Sequence, residues 1–299
     1  MSYQKCKIIL LASAALSLSA CGGGGSGGGH VGSVPPPIVT PASSVVNIFA
    51  NPVPTTYASV GVTSTLSTAD ADQPHIRYTS GGYYEIQMPG AAYDRLIFYK
   101  GAIPADPSTF NMFQPAAVAQ NQAIFTTSNA RLAGYHYSEM ASWLTQTASG
   151  SVAFGSATPA GAVPVTGSAS FAGTVDGTSD ILQPDYLAGG MVPVPVNGTV
   201  ALAFNFGAGT LAGSMTLSTD PYVDPVNLGI FAFKDTVYSI GSPTYSGAFD
   251  SNAVGSNFFL GRFTGPNAEE TIGAWALPFI YAVDGQNHQA EGAWIAKRP

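Results

Sequence analysis

Charge is scarce in this chain of 299 residues, where only 9% are Asp, Glu, Lys or Arg. An average globular domain carries about 25%. The few charges lean acidic, with 17 acids against 10 bases and a net charge of −7. A nucleic-acid-binding surface needs clustered basic residues, and no stretch offers them, so nucleic acid is excluded as a partner. Cysteine is nearly missing, with Cys6 and Cys21 the two in the chain. That excludes a disulfide framework and a Cys-based metal site, and leaves burial as the source of stability. Long apolar runs are lacking as well. Ile8–Leu18 is an apolar stretch of 11 residues, short of the roughly 20 that span a bilayer as a helix. A sustained 3.6-residue hydrophobic period is also absent, so a helical bundle is not expected.

What is present begins with an address. Lys5 and Lys7 precede the apolar stretch, as in the basic and hydrophobic regions of a secretory signal. The stretch leads into Leu18-Ser19-Ala20-Cys21, which resembles the lipobox of bacterial lipoproteins. The resemblance implies cleavage after Ala20, acylation of Cys21 and a lipid tether holding a soluble body. Gly22 after the cysteine, in place of aspartate, points to the outer membrane. Loss of the segment with Lys5 and Lys7 would take the net charge from −7 to −9. An ordinary signal peptide with an incidental cysteine is the alternative.

Residues 1–20 are thus expected to be a lipoprotein signal peptide and 21–41 a tether rich in Gly and Pro. Gly24-Gly25-Ser26-Gly27-Gly28 matches the pattern of a nucleophile elbow, and the same run matches a dinucleotide-binding fingerprint. Neither lies between a strand and a helix, the context those motifs require. Residues 42–133 read as a small β-rich domain. "GGYYEIQMPG" (81–90) and "DRLIFYKG" (94–101) are strands within it, and "PADPSTFNMFQPAA" (104–117) is a long loop.

From residue 134 the turn punctuation becomes regular. Ten strands are expected between "YHYSEMASWLTQT" (135–147) and "HQAEGAWIAKR" (288–298). In "VALAFNF", Val200, Leu202, Phe204 and Phe206 share one face, and Ala201, Ala203 and Asn205 share the other. Gly207-Ala208-Gly209 is a hairpin connection. Gly173, Gly213 and Gly247 fall inside strands, which favours the curvature of a barrel over a flat sheet.

Glu269 and Glu270 stand side by side in "GRFTGPNAEETIGAWAL" (261–277). Paired catalytic carboxylates face each other across a cleft, which adjacent residues rarely do. The better reading is a turn after Pro266 whose free backbone N–H groups are accepted by these carboxylates. Ile272, Ala274 and Ala276 then alternate with Gly273, Trp275 and Leu277 in the following strand.

This stretch, with "AEGAWIAKR", resembles the closing strands of transferrin-binding-protein-B-type barrels. Gly261, Phe263, Gly265, Pro266, Ala268, Glu270 and Gly273 match the family's turn and strand. Ala274 stands where Gly is usual, and Trp275 where Phe is usual. Upstream, "VAFGSATPAGAVPVTGSASFAGTVDG" (152–177) is similar to single-barrel members, with Phe171 in place of Tyr. The resemblance covers 134–299. It implies an all-β protein in which a small β-rich handle-like domain precedes an eight-stranded antiparallel up-and-down barrel, lipocalin-like in shape. It also implies a lipid-anchored outer-membrane protein, often surface-displayed, whose relatives bind host iron proteins or haem carriers. The true transferrin receptors have two such lobes, and this chain has the length of one.

Other chemistry is thin. His30, His75, His136 and His288 show no zinc-ligand spacing. Asp70 and Asp72 sit two apart, without the glycine and distal glutamate of a calcium loop. No metal, cofactor or enzymatic activity is expected. Tyrosine is the notable excess, with 14 in the chain. Tyr83, Tyr84, Tyr93 and Tyr99 are the candidates for a ligand surface, because aromatics offer large contact area at low entropic cost. Packing in the core of the first domain is the competing role for each. Two functional readings follow. One is a binding lipoprotein for a protein, haem or other iron-related ligand; the other is a structural or envelope-assembly lipoprotein without a soluble ligand.

Overall fold

A computed structural model of the chain describes residues 54–63, 74–88, 92–99, 111–115, 123–128, 130–145, 149–184, 190–219 and 225–299. The expected signal peptide, the lipobox with Ala20 and Cys21, and the tether lie outside these residues, as do His30, Asp70 and Asp72. The described residues are almost wholly β, with one 3₁₀ turn at Ala130–Ala133.

The first strands are β1 (Thr55–Thr56), β2 (Ala58–Thr63), β3 (His75–Tyr78), β4 (Tyr84–Gln87), β5 (Tyr93–Tyr99), β6 (Asn111–Pro115), β7 (Ala123–Thr127), β8 (Ser138–Thr145) and β9 (Ser149–Gly155). They form one sheet in the order β1-β3-β4-β5-β6-β7-β8-β9-β2. β1 and β2 are separated by Tyr57 alone, whose N–H donates to the Ile76 carbonyl at 3.0 Å. Thr55–Thr63 therefore supplies both ends of the strand order. Tyr57, Ile76, Tyr84, Ile86, Trp143, Val152 and Phe154 form this sheet's buried cluster.

The remaining strands are β10 (Ser168–Pro184), β11 (Met191–Asn205), β12 (Thr210–Thr219), β13 (Asn227–Tyr238), β14 (Thr244–Phe249), β15 (Phe258–Thr264), β16 (Glu270–Ile280) and β17 (Asn287–Lys297). They close an eight-stranded antiparallel barrel in sequence order, with β17 pairing back to β10. Val200, Leu202, Phe204 and Phe206 all point into its core, while Ala201, Ala203 and Asn205 are exposed. The side-chain period of a strand thus set the barrel's inside from outside.

Aromatic rings fill the barrel interior. Phe204 is a hub, with its centroid 4.8 Å from Phe263, 5.0 Å from Tyr245, 5.2 Å from Tyr238 and 5.6 Å from Phe171. A second group centres on Phe259, which lies 4.3 Å from Phe233 and 5.9 Å from Trp294. The strand glycines make room for these rings. Tyr245 pairs directly with Gly261, Phe259 with Gly247, Trp294 with Gly273 and Trp275 with Gly292. In each pair the ring occupies the space that a Cβ on the glycine would need. An aromatic laid over a cross-strand glycine restores the packing that the glycine gives up. Arg298 covers one end, with its guanidinium carbon 5.5 Å from the Phe171 ring and 5.7 Å from the Phe206 ring.

Two expectations are corrected. The barrel begins at Ser168 and not near residue 134, because β8 and β9 complete the first sheet. Regular turn spacing is the same for hairpins of either sheet and carries no information about which sheet they join. The loop expected over 104–117 contains β6, whose short span lies between Phe110 and Ala116 and beside several breakers. β11 runs from Met191 and so includes Pro193 and Pro195. Pro193 and Pro195 sit where β11 pairs only with β10, before its pairing with β12 begins at Val196. Their missing N–H groups therefore cost no hydrogen bond to β12.

The first sheet packs on the outside of the barrel through β16 and β17. Ile272, Ala274, Ala293 and Ile295 form a buried cluster with Val60, Val62, Met140 and Ala153. Burying one such Val or Ile contributes roughly 1.5–3 kcal/mol. Glu269 and Glu270 divide their work. Glu269 acts locally, its Oε2 accepting the Asn267 backbone N–H at 2.8 Å. Glu270 reaches across to the segment that leads into β8 of the first sheet. Its Oε1 accepts the His136 N–H at 2.6 Å, and its Oε2 accepts the Tyr137 N–H at 3.1 Å. Glu270 is 3% exposed, so these donors replace water. Glu270→Ala should remove the acceptor of both N–H groups and lower stability by about 2 kcal/mol. Urea denaturation read by tryptophan fluorescence, with far-ultraviolet dichroism to confirm the fold, measures this directly.

Candidate functional site

β3, β4 and β5 bring together residues far enough apart in sequence to look unrelated. Arg77 pairs with Glu85, and Glu85 pairs with Arg95, in a single cross-strand row. Ile76 and Ile86 alternate with these residues and are buried. The row therefore lies on the face turned away from the sheet's core. Arg77 Nε donates to Glu85 Oε2 at 2.5 Å. The Arg77 guanidinium lies 4.0 Å from the Tyr93 ring centroid, and the Arg95 guanidinium 5.0 Å from that of Tyr83. Tyr93, Arg77 and Glu85 are thus linked by contacts, Arg95 and Tyr83 by another, and Glu85 stands opposite Arg95 in the strand register. Cation–π stacking holds each tyrosine ring in place.

The candidate tyrosines separate accordingly. Tyr83 and Tyr93 are partly exposed on this face. Tyr84 is 5% exposed and belongs to the core with Tyr57. Burial pushes the Tyr57 hydroxyl up to about 12 and that of Tyr84 higher still. The side chain of Tyr99 lies outside the described residues. Arg77, Glu85 and Arg95 were missed at the level of sequence. The alternation of Arg77 with Ile76 and of Glu85 with Ile86 carried a signal for them. It was faint because β3 and β4 span only four residues each.

A second polar cluster sits at one end of the barrel. His288 Nδ1 lies 2.8 Å from Asp180 Oδ1, and Nε2 lies 3.0 Å from Asp284 Oδ2. Only an imidazolium donates through both nitrogens. Partial burial alone would lower the pKa of His288, but the hydrogen bonds and charges of the two aspartates outweigh it and raise it. The β10–β11 ribbon continues past this cluster, with Leu182 opposite Pro193 and Pro184 opposite Met191. The strand ends and connections of this end expose Leu182, Met191, Val254, Ile280 and Val283. His75 takes part in a hydrogen bond with Ser59 at 3.2 Å, and His136 is exposed. No group of three or more His, Cys, Asp or Glu side chains able to hold a metal occurs among the described residues.

Glu291 is the unexpected titrating group. It shares a face of β17 with Ala293 and Ile295, which pack against the first sheet. It is 5% exposed, and burial pushes its carboxyl up to about 8.

No protein-family model and no curated protein matches the chain. Solved structures do. A double mutant of transferrin binding protein B (TbpB) from Haemophilus parasuis Hp5 superposes with a TM-score of 0.50 at 13% identity, over 81% of this chain and 45% of that one. Isotype 1 TbpB from serogroup B Neisseria meningitidis gives 0.46 at 14% identity, over 82% of this chain and 44% of that one. A structure described as a surface lipoprotein gives 0.37 at 14% identity, over 77% of this chain and 100% of that one. The chain spans under half the length of these two TbpB structures. It has a TbpB-like fold, as its closing motif implied.

The raised carboxyl of Glu291 sets a pH dependence. The folded state holds its proton up to about pH 8, whereas the unfolded chain releases it near pH 4.3. Stability should therefore fall as pH rises from about 4.3 to about 8. Glu291→Gln should flatten this slope and raise Tm at pH 8.5 while changing it little at pH 4.5. Thermal melts of both proteins across this range check the sign.

Proposed function

We propose that the protein is a lipid-anchored outer-membrane binding protein, displayed at the surface, whose ligand is another protein. The barrel, lying at the C-terminal side as residues 168–299, is the rigid scaffold. The preceding sheet, formed between residues 55 and 155, carries the contact face. The observation that carries this reading is the row of Tyr93, Arg77, Glu85, Arg95 and Tyr83 on an exposed face. Tyr and Arg are the residues most enriched at the energetic centres of protein interfaces. Here they are already ordered, which lowers the entropic cost of docking. The ring-filled barrel interior argues against a ligand held inside the lumen. The lipobox at Leu18–Cys21 supports the anchor, and the fold shared with TbpB supports the class. That protein is named for binding transferrin; for this chain transferrin and haem are probes. The alternative is a structural envelope lipoprotein, which the same measurement separates.

Two results are expected. Cys21→Ser should abolish incorporation of labelled palmitate and release the chain from the membrane fraction. For binding, protein beginning at Gly22 is immobilised and offered iron-loaded transferrin, haem and the organism's own secreted proteins. Arg95→Ala with Tyr93→Ala should weaken capture of a protein partner at least about tenfold, with Tm changed by less than about 2 °C. Undiminished capture would move the site to the barrel rim at Leu182 and Met191. No capture by the folded protein would favour the structural role.

A further inference from the structure

We propose that His288 is a pH-sensitive clamp: charged, it fastens the β10–β11 ribbon to the β16–β17 turn, and neutral, it lets the ribbon go. This inference does not rest on the protein-binding role proposed above. Among the described residues, β10 pairs with β17 as far as Ser179 and then with β11 alone, as far as Pro184. β11 in turn pairs only with β10 before Val196. A two-stranded ribbon is marginally stable by itself in water, so its side-chain ties to the barrel decide how firmly it is held. Ile181 supplies an apolar contact with the barrel core. Among the described residues, one side-chain hydrogen bond ties 180–184 and 191–195 to the rest of the barrel. It joins Asp180 Oδ1 to His288 Nδ1 at 2.8 Å.

The other half of the clamp is built in. Asp284 sits in a turn closed by the Tyr281 N–H on the Gln286 carbonyl at 3.0 Å and the Gly285 N–H on the Tyr281 carbonyl at 2.8 Å. Its Oδ1 accepts the Gln286 N–H at 2.9 Å, and its Oδ2 lies 3.0 Å from His288 Nε2. The Gln286 N–H and, after it, His288 hold this carboxyl below its ordinary range. The His288 ring stands opposite Phe279 in the strand register, with the Phe279 and Tyr281 rings 6.0 and 5.7 Å away. Asp180 has no second hold of this kind. Among the described residues, His288 is the one partner of its carboxylate.

Charge makes this link switchable. The groups that face His288 are Asp180 from β10, Asp284 and Tyr281 from the turn, and Phe279 from β16. Glu291 of β17 lies on the other face of its strand, with Ala293 and Ile295. β10, β11 and β16 carry no Lys or Arg, and Lys297 of β17 lies at the opposite end of that strand. His288 is thus the cation set between the two aspartates. An imidazolium donates to both, whereas a neutral imidazole has one proton for two carboxylates. With Asp284 fixed by its turn, the bond that opens is the one to Asp180, and a ring lone pair then faces that carboxylate. Burial lowers the pKa of His288, but the hydrogen bonds and charges of Asp284 and Asp180 raise it by more. The clamp is therefore complete below about pH 6.5 and is lost as pH rises through the higher value of the folded state. Leu182 and Met191 belong to the ribbon, while Ile280 and Val283 lie at the turn. Opening the clamp thus changes the shape of this exposed apolar rim.

The test is an NMR pH titration of the isotopically labelled full chain from about pH 5.5 to about pH 9. It reads the His288 ring carbons together with the exchange protection of the Leu182, Gln183 and Val192 amides, taken relative to amides of β16. A parallel series in Glu291→Gln removes the titration of that carboxyl. The His288 midpoint should lie above 6.5. Relative protection of the ribbon should fall at least about fivefold between about pH 6 and about pH 8.5, with the same midpoint. Asp180→Ala should lower the His288 midpoint and leave the ribbon weakly protected at both pH values, and His288→Gln should give the same weak protection. The Asp180 side chain is 40% exposed, so its variant decides the matter where His288→Gln fails to fold. A His288 midpoint at or below 6.5, ribbon protection that is constant across the range, or an unchanged pH dependence in Asp180→Ala would each overturn the proposal.

Discussion

The β16–β17 hairpin is buried on both faces, and the rest of the molecule is arranged around that constraint. Ten of the eleven residues of β16 are buried. Its inward side chains, Trp275 and Leu277, join the aromatic core of the barrel. Its outward ones, Ile272 and Ala274, join the seam with the first sheet. A barrel strand with one face to water would carry polar residues outward. Here small apolar residues stand in their place, and alanine in particular lets the second sheet approach closely. Were this seam lost, the hairpin would expose apolar surface, and β2, β8 and β9 would lose the partner that covers them.

Among the described residues, several of the few charged groups have a traceable task. The buried acids Glu139 and Glu270 serve as acceptors for backbone donors. Glu139 Oε1 takes the Ala130 N–H at 3.0 Å and the Ser128 hydroxyl at 2.7 Å. Glu270 takes two N–H groups at the junction. Such acceptors tie irregular segments to the sheets where no strand can pair with them. The arginines work outward. Arg77 and Arg95 hold tyrosine rings on an exposed sheet face, and Arg262 borders a groove.

These choices bear on recognition. A barrel packed with Phe204, Phe259, Trp275, Trp294 and their neighbours gives stiffness and leaves binding to surfaces outside it. One such surface is the Arg–Tyr row on the first sheet. The extended β10–β11 ribbon, with its apolar rim, is a second region of exposed surface.

The all-β character, the barrel and its inside face were legible in the sequence, because side-chain alternation along a strand is a local property. Val200 to Phe206 carried that information in seven residues. The closing motif from Gly261 to Gly273 was legible too, since a turn and its flanking strands are contiguous. The role of Glu269 followed from the same locality. The partner of Glu270 did not, because His136 lies 134 residues away and only the packed fold brings it near. Sheet membership of β8 and β9 was likewise decided by tertiary structure, since a hairpin looks the same in either sheet. The site shows the division most clearly. Tyr83 and Tyr93 could be named from an aromatic excess, but their arginine partners come from other strands. Alternation along one strand is written in the sequence; adjacency between strands depends on register, which only the assembled sheets determine.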